Sequence, residues 1–171
     1  MSPARQSITI EKTWSGHQIA TSAHIHMSIE YDDHACRIQI DAPFYNDPKP
    51  PGPRGPTPNL WDYEVVEIFF VGEDGQYLEL EFSPHGHYLM LWLSAPRVVD
   101  DRTLTCTYDA SFRADRWTGT AVIPRTVMPT LIQRVNAFAI SGLGASRQYL
   151  AWHPLPGPKP DFHQPHRFPE C

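Results

Sequence analysis

Several glutamates and a set of aromatic rings share one short stretch of the chain. Glu64, Glu67, Glu79 and Glu81 fall between Trp61 and Trp92, interleaved with Tyr77 and Tyr88. Carboxylates accept hydrogen bonds from hydroxyls, and ring faces stack on the apolar C–H faces of a sugar, so the mixture suits a saccharide or polyol. Pairing Phe70 with Tyr77 across Gly72–Gly75, and Phe82 with His87 across Ser83–Gly86, makes a three-stranded antiparallel unit. That register collects Ile68, Phe70, Tyr77, Glu79, Glu81, Tyr88, Met90 and Trp92 on one face. The opposite face, with Val65, Phe69, Leu78, Leu80, Phe82, Leu89, Leu91 and Leu93, reads as core. The expected ligand contacts are Trp61, Tyr77, Tyr88 and Trp92 for stacking and Glu79 and Glu81 for hydrogen bonds. The plainer expectation is an outer sheet face covered by the chain's own loops, a structural or interaction module with no small ligand.

Glu67 is set by the same register on the core face, where a carboxylate is costly unless paired. Arg97, Arg147 or a tyrosine hydroxyl is the expected partner. Nine histidines raise a second chemistry. His24, His26 and Glu30 would share one strand face with the spacing seen in cupins, and imidazole with carboxylate suits Fe, Mn, Ni or Zn. A metal-dependent cupin-like enzyme is therefore the alternative reading, although the cupin glycine falls at Gln18 and the second motif is missing. Haem would need opposed axial ligands, and Met90 and His87 lie on opposite faces. No Ser-His-Asp elbow, phosphate loop or pair of catalytic aspartates is present, so the lead expectation is a non-catalytic domain without a cofactor.

The elements that must position these groups are strands. Ala23, Ile25, Met27, Ile29 and Tyr31 alternate with polar residues, as do Cys36, Ile38, Ile40 and Ala42, with an Asp32-Asp33 turn between them. Further strands fall at 7–10, 104–108, 117–123, 135–140 and 148–152. Proline cannot donate to a sheet ladder, so the Pro-rich loop 43–59 and the Pro/His-rich C-terminal strap 154–171 lie outside the strands. Many short strands and almost no helix predict an all-β, two-sheet antiparallel sandwich, with residues 1–171 as one domain. A net charge of −5 argues against a nucleic-acid partner. No run is long enough to span a membrane, three scattered cysteines indicate no disulfide framework, and the chain opens without an apolar leader, so a cytoplasmic location is expected.

The motif Trp61-Asp62-x-Glu64-x-Val66-Glu67-Ile68-Phe69, followed by Tyr77-x-Glu79-x-Glu81-Phe82-x-Pro84-x-Gly86, resembles the family 9 carbohydrate-binding modules and the wider DOMON-like β-sandwiches. Ala121-Val122-Ile123-Pro124 and Val135-Asn136-Ala137-Phe138 are similar to later segments of that family. Asn136–Ile140 with Asp161-Phe162-His163 is similar to a small uncharacterised group of stand-alone proteins of this type. The resemblance covers most of residues 20–155. It implies a jelly-roll-like sandwich, no catalysis, a saccharide on an aromatic platform and, in some relatives, a structural calcium. Glu64 stands where an aspartate is commoner, and Ser83 replaces the asparagine of the Asn-Pro-x-Gly turn.

Overall fold

The structure, a computed structural model, describes residues 4–171. Residues 1–3 of the span read as one domain lie outside the described residues. The strands are β1 (Ala4–Ile10), β2 (Lys12–Thr13), β3 (Ile25–Tyr31), β4 (Ala35–Pro43), β5 (Gly55–Pro56), β6 (Val65–Gly72), β7 (Tyr77–Phe82), β8 (His87–Ala95), β9 (Val98–Asp101), β10 (Thr107–Arg113), β11 (Arg116–Pro124), β12 (Ile132–Ser141) and β13 (Gln148–Ala151). Helix among the described residues is confined to short 3-10 turns. One sheet runs β1-β3-β4-β11-β10; the other runs β2-β13-β12-β6-β7-β8-β5, with β9 also on β8. The pairings are antiparallel except for the two-residue contact of β5 with β8. The expected all-β sandwich is observed.

Alternation builds the first sheet as the sequence predicts. Ile25, Met27 and Ile29 of β3, Cys36, Ile38 and Ile40 of β4, and Trp117, Ala121 and Ile123 of β11 are buried between the sheets. Gly119 is required for close approach: a Cβ there would lie 2.8 Å from the Tyr108 hydroxyl, which donates to the Ser83 carbonyl of the second sheet at 2.8 Å.

The second sheet differs from expectation by one residue at each of two hairpins. Val71, not Phe70, stands opposite Tyr77, and Tyr88, not His87, stands opposite Phe82. The cause is loop length. Gly72 N–H donates to Gln76 O at 2.8 Å and Ser83 N–H to His87 O at 3.0 Å, which leaves three-residue loops. Each loop ends on a glycine of positive φ, Gly75 at 80° and Gly86 at 83°, the conformation that closes such a hairpin. A slip of one residue exchanges faces. Val66, Ile68, Phe70, Leu78, Leu80, Phe82, Tyr88 and Met90 therefore point into the sandwich. Tyr77, Glu79 and Glu81 face outward with Glu67, Phe69, Leu89, Leu91 and Leu93.

That outer face is covered by the C-terminal strap. Leu155, Phe162 and Phe168 pack onto it with Trp14, Phe69, Phe138 and Ile140, and the Phe138 and Phe162 rings stack at 4.1 Å. Val135 N–H donates to Pro169 O, and Arg134 reaches Phe168 O at 2.8 Å and Glu170 at 2.6 Å. Asn136 holds the strap's start through His153 N–H and His153 O. The Pro-rich loop is likewise tied down. Its Tyr45 and Asp47 amides donate to Glu64, its Arg54 donates to the His85 and Ala110 carbonyls, and Phe44 stacks on Phe112 at 4.2 Å. Because the strap is part of the second core, Phe168→Ala should lower stability by about 3–5 kcal/mol in urea denaturation. A loss below about 1 kcal/mol would show that the strap is only a surface cover.

Candidate functional site

Between the strap and the outer face of the second sheet lies a cleft of about 420 Å³. Its floor is Glu67 of β6, Glu79 of β7 and Leu91 and Leu93 of β8. Ile140 and Tyr149 form one side; Pro160, Asp161, Phe162 and His163 of the strap form the other, with Arg97 and Val99 closing the end. Trp61, 39% exposed on the 3-10 turn Leu60–Asp62, stands at the rim. Its carbonyl and that of Asp62 accept from Arg147, which also holds the Gly142 carbonyl.

The carboxyls are the unusual feature. Glu67 stands directly opposite Glu81, and Glu79 lies two residues along the same strand, so all three share one face. Glu79 is 4% exposed and Glu81 fully buried. Glu79 Oε2 and both oxygens of Glu81 have no donor. The hydrogen bond open to this pair is one between their own carboxyls, which requires that one of them keep its proton. Burial pushes Glu79 up to about 8, and burial together with the neighbouring acids pushes Glu67 and Glu81 well up. Glu67 has no ion-pair partner among the described residues. Its expected partners are engaged elsewhere: Arg97 with Asp161 at 2.6 Å, and Arg147 with backbone carbonyls.

A second polar chain reaches the acids from the strap. The Arg97 amide donates to the Tyr77 hydroxyl at 3.4 Å, and that hydroxyl bonds His163 Nδ1 at 2.7 Å. His163 Nε2 lies 4.0 Å from Glu79 Oε2. Burial lowers His163 to about 4, so it is neutral near pH 7. When Nδ1 accepts from Tyr77, Nε2 carries the ring hydrogen. The cleft thus offers a carboxyl able to accept and, when protonated, to donate, beside apolar and aromatic walls.

Of the residues expected to bind ligand, Trp61 and Glu79 line the cleft, and Tyr77 and Glu81 lie buried on the same face. Tyr88 and Trp92 do not belong with them. Tyr88 points into the sandwich with its hydroxyl accepting from the Cys106 amide, and the Trp92 ring, packed against the same core, donates to Gln76 at 2.9 Å. Tyr149, Phe162 and His163 were not expected in the site. The signal was a Pro-rich strap that carries large apolar residues, which a solvated linker does not need.

The metal alternative is not assembled. His24 and His26 lie toward the open face of the first sheet with rings 6.4 Å apart, His26 bonds Thr9, and Glu30 pairs with Arg5 at 3.4 Å. Among the described residues no group of three His, Cys, Asp or Glu is arranged to hold a metal ion. That first-sheet face carries a groove of about 470 Å³ lined by Ser7, Thr9, His26, Ser28, Asp41 and Thr118 among others, but it has no buried charge and no Phe, Tyr or Trp.

The buried acids make stability depend on pH. Glu79 rises from 4.5 to about 8 on folding, so its contribution is full below pH 4.5 and is lost as pH rises through about 8. His163 works oppositely: its contribution is present above pH 6.5 and lost as pH falls through about 4. Above pH 6.5 the glutamates act unopposed by His163. Stability should therefore fall between pH 6.5 and 8, by up to about 1.4 kcal/mol per pH unit for each proton. Glu79→Gln should flatten that slope in thermal melts. A wild-type curve flat or rising across this window contradicts the assignment.

Comparison with known proteins places the chain. No family model matches it. It is 38% identical over 163 residues to the human UPF0462 protein C4orf33, covering 90% of this chain and 81% of the human protein. The rat homologue is 37% identical over 164 residues, covering 91% and 82%. The zebrafish homologue is 42% identical over 136 residues, covering 74% and 69%. Among solved structures, one from Bacteroides uniformis, described as that of a candidate carbohydrate-binding protein, superposes with a TM-score of 0.68 at 16% identity. It covers 97% of this chain and 84% of its own, and supports the sandwich fold. On the strength of its vertebrate relatives, the chain belongs to the UPF0462 family.

Proposed function

We propose that this is a non-catalytic binding domain of the carbohydrate-binding type, taking a small saccharide or polyol in the cleft beneath the strap. The observation that carries the reading is Glu79, almost wholly buried yet lining a cleft with an oxygen that no protein donor satisfies. A ligand hydroxyl supplies such a donor. Trp61, Tyr149 and Phe162 provide apolar surface for the C–H faces of a sugar, and Arg97 and Asp161 provide polar contacts at the end. The volume lies within the usual range for small-ligand sites, about 300–1,000 Å³. The description of the Bacteroides neighbour and the resemblance to family 9 carbohydrate-binding modules support the same class.

One observation favours a second reading. The strap covers Tyr77 and Glu81, as it would in an interaction module whose sheet face is closed by its own chain. Thermal-shift screening of mono- and disaccharides and sugar alcohols separates the two. The binding reading expects stabilisation by members of the panel and at least a tenfold loss of affinity in Trp61→Ala, with the ligand recovered unchanged. No stabilisation across the panel would favour the interaction module.

A further inference from the structure

This inference rests on the reading of the cleft as a saccharide or polyol site and names the group recognised there. We infer that the cleft takes an aminated sugar or polyol, with its ammonium seated against the Glu67 and Glu79 carboxyls.

The first argument is charge. The acids facing this point are Glu67 from β6 and Glu79 and Glu81 from β7, with Asp62 close enough to act on Glu81. Two cations act on these acids from a distance, Arg147 on Glu67 and Arg97 on Glu79, but neither bonds them directly. Arg97 is paired with Asp161, and Arg147 donates to the carbonyls of Trp61, Asp62 and Gly142. His163 is neutral near pH 7, and its Nδ1 is engaged by Tyr77, whose hydroxyl carries no charge there. The cleft therefore holds more carboxyls than cations, and these carboxyls stay protonated until a cationic group arrives to compensate their charge.

The second argument is the unsatisfied oxygen. Glu79 is more than nine-tenths buried, lines the cleft, and has Oε2 without a donor. Glu81, behind it, lacks a donor for either oxygen. A primary ammonium is compact and carries three donors, so one group can satisfy more than one carboxylate oxygen. A metal ion would answer the same charge, but the acids are not arranged as a ligand set. An ammonium joined to a carbon skeleton also uses the walls, since Trp61, Tyr149 and Phe162 take its apolar part.

Binding of the cation is linked to proton release. The protonated carboxyl ionises as the ammonium arrives, so one proton leaves to solvent for each ammonium bound to a protonated site. Affinity then rises with pH while the ligand amine stays charged, whereas a neutral polyol shows no such release.

The test is isothermal titration calorimetry with matched probes: 1-amino-1-deoxysorbitol against sorbitol, and galactosamine against galactose, at pH 6 and pH 8. The amines are expected to bind at least tenfold more tightly than their hydroxyl counterparts. The 1-amino-1-deoxysorbitol affinity should increase from pH 6 to pH 8, and its heat should vary with the buffer's ionisation enthalpy in the sense of proton release. Glu79→Gln, and separately Glu67→Gln, should bring the amine's affinity down to that of its hydroxyl counterpart. Equal binding of amine and hydroxyl probes overturns this inference and leaves the saccharide reading standing. Absence of binding by every probe overturns both.

Discussion

Three carboxyl groups on one buried sheet face set the terms for the rest of this molecule. Glu67, Glu79 and Glu81 sit where β6 and β7 are covered on both sides, by the first sheet within and by the strap without. Glu79 Oε2 and both Glu81 oxygens meet no protein donor there. Glu79 and Glu81 can then bond each other only by keeping a proton between them. Such an arrangement opposes stability, and the aromatic packing around it offsets the cost. Phe69, Phe138, Phe162 and Phe168 lock the strap to the sheet beside the acids. Without the strap the acids would lie at a solvated sheet face, with ordinary acidity and no enclosed site.

Much of this architecture was legible from residue pattern. The first sheet shows clean alternation because one side faces water, so β3, β4 and β11 could be assigned face by face. The second sheet defeats the same reasoning because every residue of β6 and β7 is buried, and a two-sided strand gives no polar stripe to fix its register. Register then hangs on loop length alone. Gly75 and Gly86, each in the left-handed region, shorten both loops by a residue relative to the four-residue reading. The consequence runs through the site: Tyr88 and Trp92 leave the glutamates, and Glu67 joins them. The puzzle of a lone buried acid at Glu67 thus becomes a cluster of three.

The strap was hardest to read. Its prolines mark it as a strap outside the strands, and no local pattern says where Phe162 and His163 will dock. Their positions follow from tertiary packing, with Phe162 stacked on Phe138 and His163 held by Tyr77. The histidines of β3, by contrast, have a conspicuous spacing and no convergence: His26 turns to Thr9 and Glu30 to Arg5. Residue spacing picked out chemical groups on β3 that lie on an open face, whereas burial, not spacing, marks the strap residues that enclose the cleft.

The central claim is that the cleft's acids are held protonated near neutral pH by burial. Carbon-13 NMR of the glutamate side-chain carboxyls, titrated from pH 3 to pH 9 with Glu79→Gln for assignment, tests it most directly. The account predicts that Glu79 titrates near 8, with Glu67 and Glu81 also displaced well upward. Titration of all three near the ordinary glutamate value of about 4.3 would contradict it.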